Sequence, residues 1–434
     1  MVGCLILALA ACGGDPGGNA VDKAADVQEA KNEPVELTFF NINSQGITQE
    51  QFMEEYGNMI SKRFPNFSLK NITNPKGNTA DNLNQLVTAG QTFDILISSI
   101  DLTAKFLIPM GLQNDIGDLI KQTKYDLNKL EPSAVESQKL MANGSIYGLP
   151  VYNSTAVLYY NKDLFDKFGV AYPKNGMTWD DLYDLARKMT RTEGGVQYKG
   201  LTIDMIHTLT VDALSTPWVD IKTYKSQLAE ESFIRAFKNL VRFFQIPGNE
   251  LPGSAYGQGK QLDAFIKDKT SAMLLGMNNV ALNKIQDNVN WDVVQLPYYT
   301  DKIGTGPQPY PTYFYISSNS QHRNAAFQVL DYVTSDEYQM EENRKGILPI
   351  LKDTSKYISE FGSESPFFKG KNIKGFIPGK LAEPALKTAF DDEAKAQLNG
   401  QMIGDVANGK IDVNTALREA AERADKAIAE ERTK

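Results

Sequence analysis

From Val35 onward, short β-rich runs alternate with stripes of apolar residues at helical spacing. Val35 to Phe40 (VELTFF) reads as a strand. A T-x-x-Q box at Thr48 to Gln51 then predicts a helix carrying Phe52, Tyr56, Met59, Ile60 and Phe64 on one face, ended by Pro65. Phe67 to Ile72 predicts a second strand. It is followed by a helix with Leu83, Leu86 and Val87 on one face, stopping at Gly90, and by the apolar strand Phe93 to Ser98. This β-α-β-α-β order predicts an α/β fold with a mostly parallel sheet, whose ligand-binding loops lie beyond the carboxyl ends of the strands, here Asn41 to Gln45 and Ser98 to Asp101.

The pattern then restarts. Thr178 and Asp181 form a T-x-x-D box before a helix with Leu182, Leu185, Ala186 and Met189, and Ser271 to Leu275 and Val293 to Leu296 read as strands of a second α/β lobe. From Asp412 a long amphipathic helix places Ala416, Leu417, Ala420, Ala424, Ala427 and Ile428 on one stripe. Neither a repeat of 20 to 50 residues nor an internal membrane span is visible.

Composition narrows the function. The 434 residues, 42% hydrophobic and 23% charged, suffice for two packed domains. A net charge of -8, without a basic cluster, argues against a nucleic-acid partner. Both cysteines, Cys4 and Cys12, lie in the first dozen residues, so no disulfide framework is expected. The apolar run Leu5 to Ala11, closed by small residues before Cys12, resembles a bacterial lipobox, although no Lys or Arg precedes it. The reading is a signal peptide over 1–11, lipidation at Cys12 and a Gly-, Ala- and Asp-rich tether over 12–34.

Five stretches carry a family resemblance. NGSIYGLPVYNSTAVLYYNKDLFDKFGV (143–170) is followed by a proline and MTWDDLYDLARKMT (177–190), then by AFIKDKTSAMLLGMNN (264–279) with WDVVQLP (291–297), and by the run from Thr312 to Ile350. Together they resemble the bacterial extracellular solute-binding proteins of family 1, the class that contains maltose-binding protein. The resemblance implies a two-lobed periplasmic-binding-protein fold with mixed sheets. The N-terminal lobe would span 35–151 plus 316–352 and the C-terminal lobe 155–312 plus 360–434, joined by crossing segments, the first at Leu149 to Thr155. It also implies capture of a carbohydrate or oligosaccharide by hinge closure and delivery to the permease of an ABC importer. A soluble monomeric domain would stand on the outer face of the membrane.

Sugars present apolar faces edged by hydroxyls, so aromatic platforms with polar neighbours are the candidates. The resemblance points to Tyr152 and Asn153 on the first crossing, Trp218, Tyr256, Asn278, Asn279, and Tyr313 on the second crossing. Asn41, Asn43, Ser44, Ser99 and Asp101 are the candidates in the strand-end loops of the first lobe. Trp179 and Trp291 are expected in the core, and Asp94 as a loop anchor. Where sugar-binding relatives carry Trp shortly after the glycine, this chain has Met277 and Asn278. The two histidines, His207 and His322, stand in no catalytic motif, and neither G-x-S-x-G nor a phosphate-binding loop occurs, so a non-enzymatic protein needing no cofactor and no metal is expected. Two other readings of the same fold are a surface solute sensor or adhesin, and an importer component for a non-sugar solute such as a peptide.

Overall fold

A computed structural model of the chain describes residues 34–433 apart from 252–254, 280–284, 286, 287 and 378; the expected signal peptide, Cys12 and nearly all of the tether lie outside the described residues. The first strand, β1 (Val35–Asn41), leads to the Thr48 capping box, in which both reciprocal bonds form. The helix that follows runs through a π-helical turn, Met53–Gly57, before Asn58–Arg63, and buries Phe52, Tyr56 and Ile60. After β2 (Phe67–Ile72) comes the helix Thr79–Thr88, whose Leu83 is fully buried. Val87, expected on the same stripe, is instead exposed in the last turn of this helix.

The next strand is β3 (Ile95–Ser99), two residues later at its start than the apolar run suggests. Phe93 and Asp94 are spent on packing and anchoring. Asp94 Oδ2 accepts from the Thr38 amide (2.9 Å), and its Oδ1 from Ser320 Oγ (2.7 Å). The segment YGLPVYNSTAVLYYN becomes β4 (Gly148–Ser154) and β5 (Ala156–Asn161), with Thr155 alone between them. Gly148 is required by a close approach: a Cβ there would lie 2.6 Å from the Phe314 carbonyl oxygen.

The remaining strands are the hairpin β6 (Arg191–Glu193) and β7 (Val196–Tyr198), then β8 (Thr202–Ile203), β9 (Met273–Met277), β10 (Trp291–Gln295) and β11 (Tyr310–Ile316). One sheet has the order β2-β1-β3-β11-β4, with β1 parallel to both neighbours and β11 antiparallel to β3 and β4. The other has the order β10-β5-β9-β8. The chain thus enters the first sheet again at Tyr310, opposite Ser154 of β4, and pairs with β3 from Thr312, opposite Ser99, rather than from 316.

Each sheet has its own core. Leu37, Phe39, Ile95, Ile97 and Phe314 pack with the helices Arg323–Val333 and Asp336–Arg344, while Leu158, Tyr160, Leu275 and Val294 pack with Trp179–Met189, Glu231–Val241 and the terminal helix Val413–Glu431. Two separately cored α/β lobes joined at Thr155 and near Tyr310 place the ends of one sheet opposite the ends of the other. Among the described residues no helix is long and apolar enough to cross a membrane.

Candidate functional site

Strand direction decides which residues meet. The carboxyl ends of β1, β3 and β4 and the start of β11 bring Asn41, Ser99, Ser154 and Tyr310 to one edge of the first sheet. The start of β5 and the ends of β8 and β9 bring Ala156, Ile203 and Met277 to the facing edge of the second. A polar cleft between two sheet edges follows, as expected where ligands bind beyond strand ends.

One half of this cleft is open. A cavity of about 180 Å³ is walled by Tyr152, Asn153 and Ser154 of β4, by Asn278 and Asn279 after β9, and by Glu55, Tyr56 and Glu342. The structure thus brings together four of the candidate residues from the two lobes. Tyr152 Oη lies 3.3 Å from Tyr56 Oη, which fixes the outer end of the ring. Asn278 holds the hinge by two bonds with Thr155: its amide donates to the Thr155 carbonyl (2.8 Å), and its Oδ1 accepts from the Thr155 amide (3.3 Å). Asn153 Oδ1 accepts from the Tyr310 amide (2.8 Å), so the two crossings are tied side by side. Asn153 also borders an adjoining cavity of about 600 Å³ between the start of helix Pro132–Met141, residues 348–361 and residues 379–383. That volume is within the range of small-molecule sites.

The other half is filled by charge. Asp101, beyond β3, receives Lys395 Nζ at 2.5 Å and Lys387 Nζ at 3.5 Å, both from the second lobe, while Lys105 Nζ reaches back to Asp392 Oδ2 at 2.5 Å. Burial pushes the Asp101 carboxyl up, but Lys387 and Lys395 outweigh it and hold it well below the usual range. The neighbouring Asp391 has its pKa pushed up to about 6 by burial, against the pull of the same two lysines. The Tyr310 phenol is pushed well up by burial and by the Asp101 charge. At the rim of the second lobe His207 Nδ1 lies 2.9 Å from Asp204 Oδ2; burial lowers its pKa, but the Asp204 carboxylate prevails and raises it.

Other candidates have structural duties. Asn41 Oδ1 accepts from the Asn43 amide (3.0 Å) and Asn43 Oδ1 from the Ser99 amide (2.7 Å), so both side chains shape the loops at the cleft edge. Ser44 stands half-buried beside them and Ser99 is buried.

Three aromatic candidates are corrected. Trp218 is 1% exposed, packed edge-on against Phe233, with Nε1 donating to Thr210 Oγ1 (3.2 Å). Tyr256 is 1% exposed against Phe244, and its Oη accepts from the Leu251 amide. Tyr313 is fully buried and donates to the Ala134 carbonyl (2.7 Å). In each case a polar tip satisfied inside the core lets the ring be buried whole, so no face is left for a sugar. Trp179 and Trp291 are buried.

Lys387, Lys395, Tyr310 and His207 were not foreseen. Lys387 lies outside any helix and Lys395 at the end of the short helix Asp391–Lys395, so no helical periodicity marks them as a pair. Among the described residues no group of three or more His, Cys, Asp or Glu is placed to hold a metal.

Two cored lobes, a two-strand hinge and a polar cleft between facing sheet edges define a two-lobed binding protein. Residues 43–340 match the family described as bacterial extracellular solute-binding protein, and the chain belongs to that family. It is 30% identical over 176 residues to an arabinooligosaccharide-binding protein of Bacillus subtilis (strain 168), a match covering 39% of this chain and 38% of that relative. It is 24% identical over 337 residues to an sn-glycerol-3-phosphate-binding periplasmic protein of Brucella melitensis, covering 70% and 72%. Its fold is shared with a sugar transporter from Rhizobium etli in an open conformation (TM-score 0.71, 20% identity, 90% of this chain and 98% of that one) and with the sugar-binding protein MalE of Xanthomonas citri (TM-score 0.70, 18% identity, 92% and 98%).

Proposed function

We propose that this protein captures a carbohydrate or oligosaccharide between its lobes and delivers it to the membrane subunits of an ABC importer. The observation that carries the reading is the cavity in which an aromatic ring, Tyr152, and the amides of Asn153, Asn278 and Asn279 converge from both lobes. A ring with amides at its edges suits a sugar's apolar face and hydroxyl rim. The arabinooligosaccharide-binding relative supports the same class.

Because the wall comes from both lobes, a solute meets all of it only when they close, so binding energy selects the closed state and reports occupancy to a membrane partner. The lobes take 35–151 with 310–352, which moves β11 into the first lobe, and 155–309 with 360–434. Cys12 carries the lipid, the tether holds a monomeric binding domain at the outer membrane face, and the cleft performs no chemistry on the solute.

The test is thermal denaturation of the protein against neutral sugars, oligosaccharides, polyols and short peptides. A bound solute at 100 times its Kd adds about 2.7 kcal/mol, enough to read as a shift in Tm. Stabilisation by a sugar recovered unchanged by mass spectrometry is the expected result. Stabilisation by peptides and by no sugar would sink the carbohydrate reading while leaving the family intact.

A further inference from the structure

Among the described residues, the cations of the charged half already have their anions. Lys395 and Lys387 are held by Asp101, Lys105 by Asp392 and His207 by Asp204. Beside the open cavity, Lys345 Nζ is 2.6 Å from Glu342 Oε1. The inner group is deeply buried, with side-chain exposures of 11% for Asp101, 13% for Lys395 and 6% for Lys387. Acceptors, by contrast, are in surplus. Asp391 is 3% exposed, and its Oδ2 makes no hydrogen bond. Glu55 joins Glu342 in the cavity wall. In the larger adjoining cavity, Lys352 and Lys380 stand against three carboxylates, Glu131, Glu136 and Glu383.

We infer that the cleft selects neutral, hydroxyl-bearing solutes and rejects anionic ones, sugar acids and sugar phosphates alike. The inference rests on the carbohydrate reading above and adds the charge of the solute to it. A hydroxyl donates to Glu55 or Glu342 and accepts from an Asn amide without changing the charge of the wall. A carboxylate or phosphate brings acceptors to acceptors. It gains Lys395 or Lys387 only by displacing Asp101, which leaves a buried carboxylate unpaired. The glycerol-phosphate-binding relative shows that the family contains the opposite choice by name, so the distinction is a property of this chain's own residues.

The test is titration calorimetry on the whole protein with size-matched sets: glucose, glucuronate and glucose 6-phosphate; neutral arabino-oligosaccharides and their oxidised acids; glycerol and sn-glycerol 3-phosphate. The neutral member of a set that binds is expected to bind at least about tenfold more tightly than its anionic partners. Asp101→Asn, which releases both inner lysines, is expected to narrow that gap about tenfold. Asp392→Asn, at the half-exposed outer pair, keeps the question answerable if the first variant does not fold, and it is expected to narrow the gap less. An acidic sugar or phosphate bound as tightly as its neutral partner overturns the inference and leaves the carbohydrate reading standing, as does a gap unchanged in every variant that folds. Absence of binding by all of these sugars overturns the carbohydrate reading and this inference with it.

Discussion

Around Tyr152 and Asn278 the cleft is a cavity walled by rings, amides and two carboxylates, whereas around Asp101 and Lys395 the same two sheet edges are joined by their own charges. The first half leaves room for hydrogen bonds to be made to a solute. The second has already made its electrostatic contacts across the lobes. A buried ion pair adds little net stability, since desolvation offsets its attraction, but it tolerates few geometries. The charged half therefore fixes how the lobes meet, and the open half decides what is held between them. Salt sharpens this contrast: the outer pair, Lys105 and Asp392, is screened by ions while the inner group is shielded.

The largest expected effect falls beneath the charged half. The Lys395 Nζ stands 5.9 Å from the Trp218 ring, so that tryptophan is the floor of the cluster as well as part of the core. Trp218→Ala is expected to cost about 3 to 5 kcal/mol in denaturant unfolding. Trp218→Phe, which keeps the edge contact with Phe233, should cost much less and leave solute affinity within about threefold. A large loss of affinity in a stable Trp218→Phe protein would return that ring to the binding site. Next comes the ion pair itself: Asp101→Ala leaves two buried lysines facing each other and is expected to cost about 3 kcal/mol. Lys105→Ala, at the outer pair, is expected to lie within about 1 kcal/mol of wild type.

The two halves differ equally in how well the sequence announces them. Periodicity gave the β-α-β-α-β start, the capping boxes at Thr48 and Thr178 and the helix from Asp412, because those signals are local and their bonds form within a few residues. Tyr152, Asn153 and Asn278, named through the family resemblance, come together at one cavity. The charged half was not legible: Asp101 and Lys395 are 294 positions apart, and nothing local marks either as the partner of the other. Trp218, Tyr256 and Tyr313 were misread for the converse reason. An aromatic residue beside a turn or on a crossing segment looks exposed until distant helices cover it, as Phe233 and Phe244 do. The strand starts at Ile95 and Met273 also fall later than the apolar runs suggest, since an apolar residue ahead of a strand packs as well as one inside it.

Behind the charged half lies a carboxyl whose ionisation opposes folding. Asp212 accepts from the Leu214 amide (2.8 Å) and from Tyr299 Oη (2.9 Å), yet burial outweighs both bonds and pushes its pKa to about 6. Its loop braces the lysine segment: Gln308 Nε2 donates to the Asp212 carbonyl, and Gln308 Oε1 accepts from the Ala385 amide. The folded state binds this proton more tightly than the unfolded chain, so its contribution is fully present below about pH 4 and is lost as pH rises to about 6. Asp212→Asn removes that loss. The stability difference between variant and wild type is expected to move in the variant's favour by about 2 to 3 kcal/mol between pH 4 and pH 7. A difference that stays flat with pH would place the Asp212 carboxylate among the satisfied groups of the core.

The smallest effect in energy is the one that bears most directly on function, and it lies in the open half. Tyr152 offers a ring beside Asn278, and both bind the hinge as well as lining the cavity, so a loss of affinity alone does not tell a contact from a misplaced crossing. Pairs of substitutions separate the two. Tyr152→Phe removes the hydroxyl next to Tyr56 and keeps the ring; Tyr152→Ala removes both. If the ring is a platform, the alanine variant loses about tenfold in affinity, near 1.4 kcal/mol, while the phenylalanine variant stays within about threefold. Asn278→Asp keeps the Oδ1 acceptor that receives the Thr155 amide and adds an anion to a wall already rich in carboxylates, whereas Asn278→Ala removes the bond altogether. Contact with the solute predicts that both weaken binding and that only the alanine variant also lowers Tm. A Tm loss in both, with affinity unchanged in whatever remains folded, would assign Asn278 to the hinge and leave Tyr152, Asn153 and Asn279 to hold the solute.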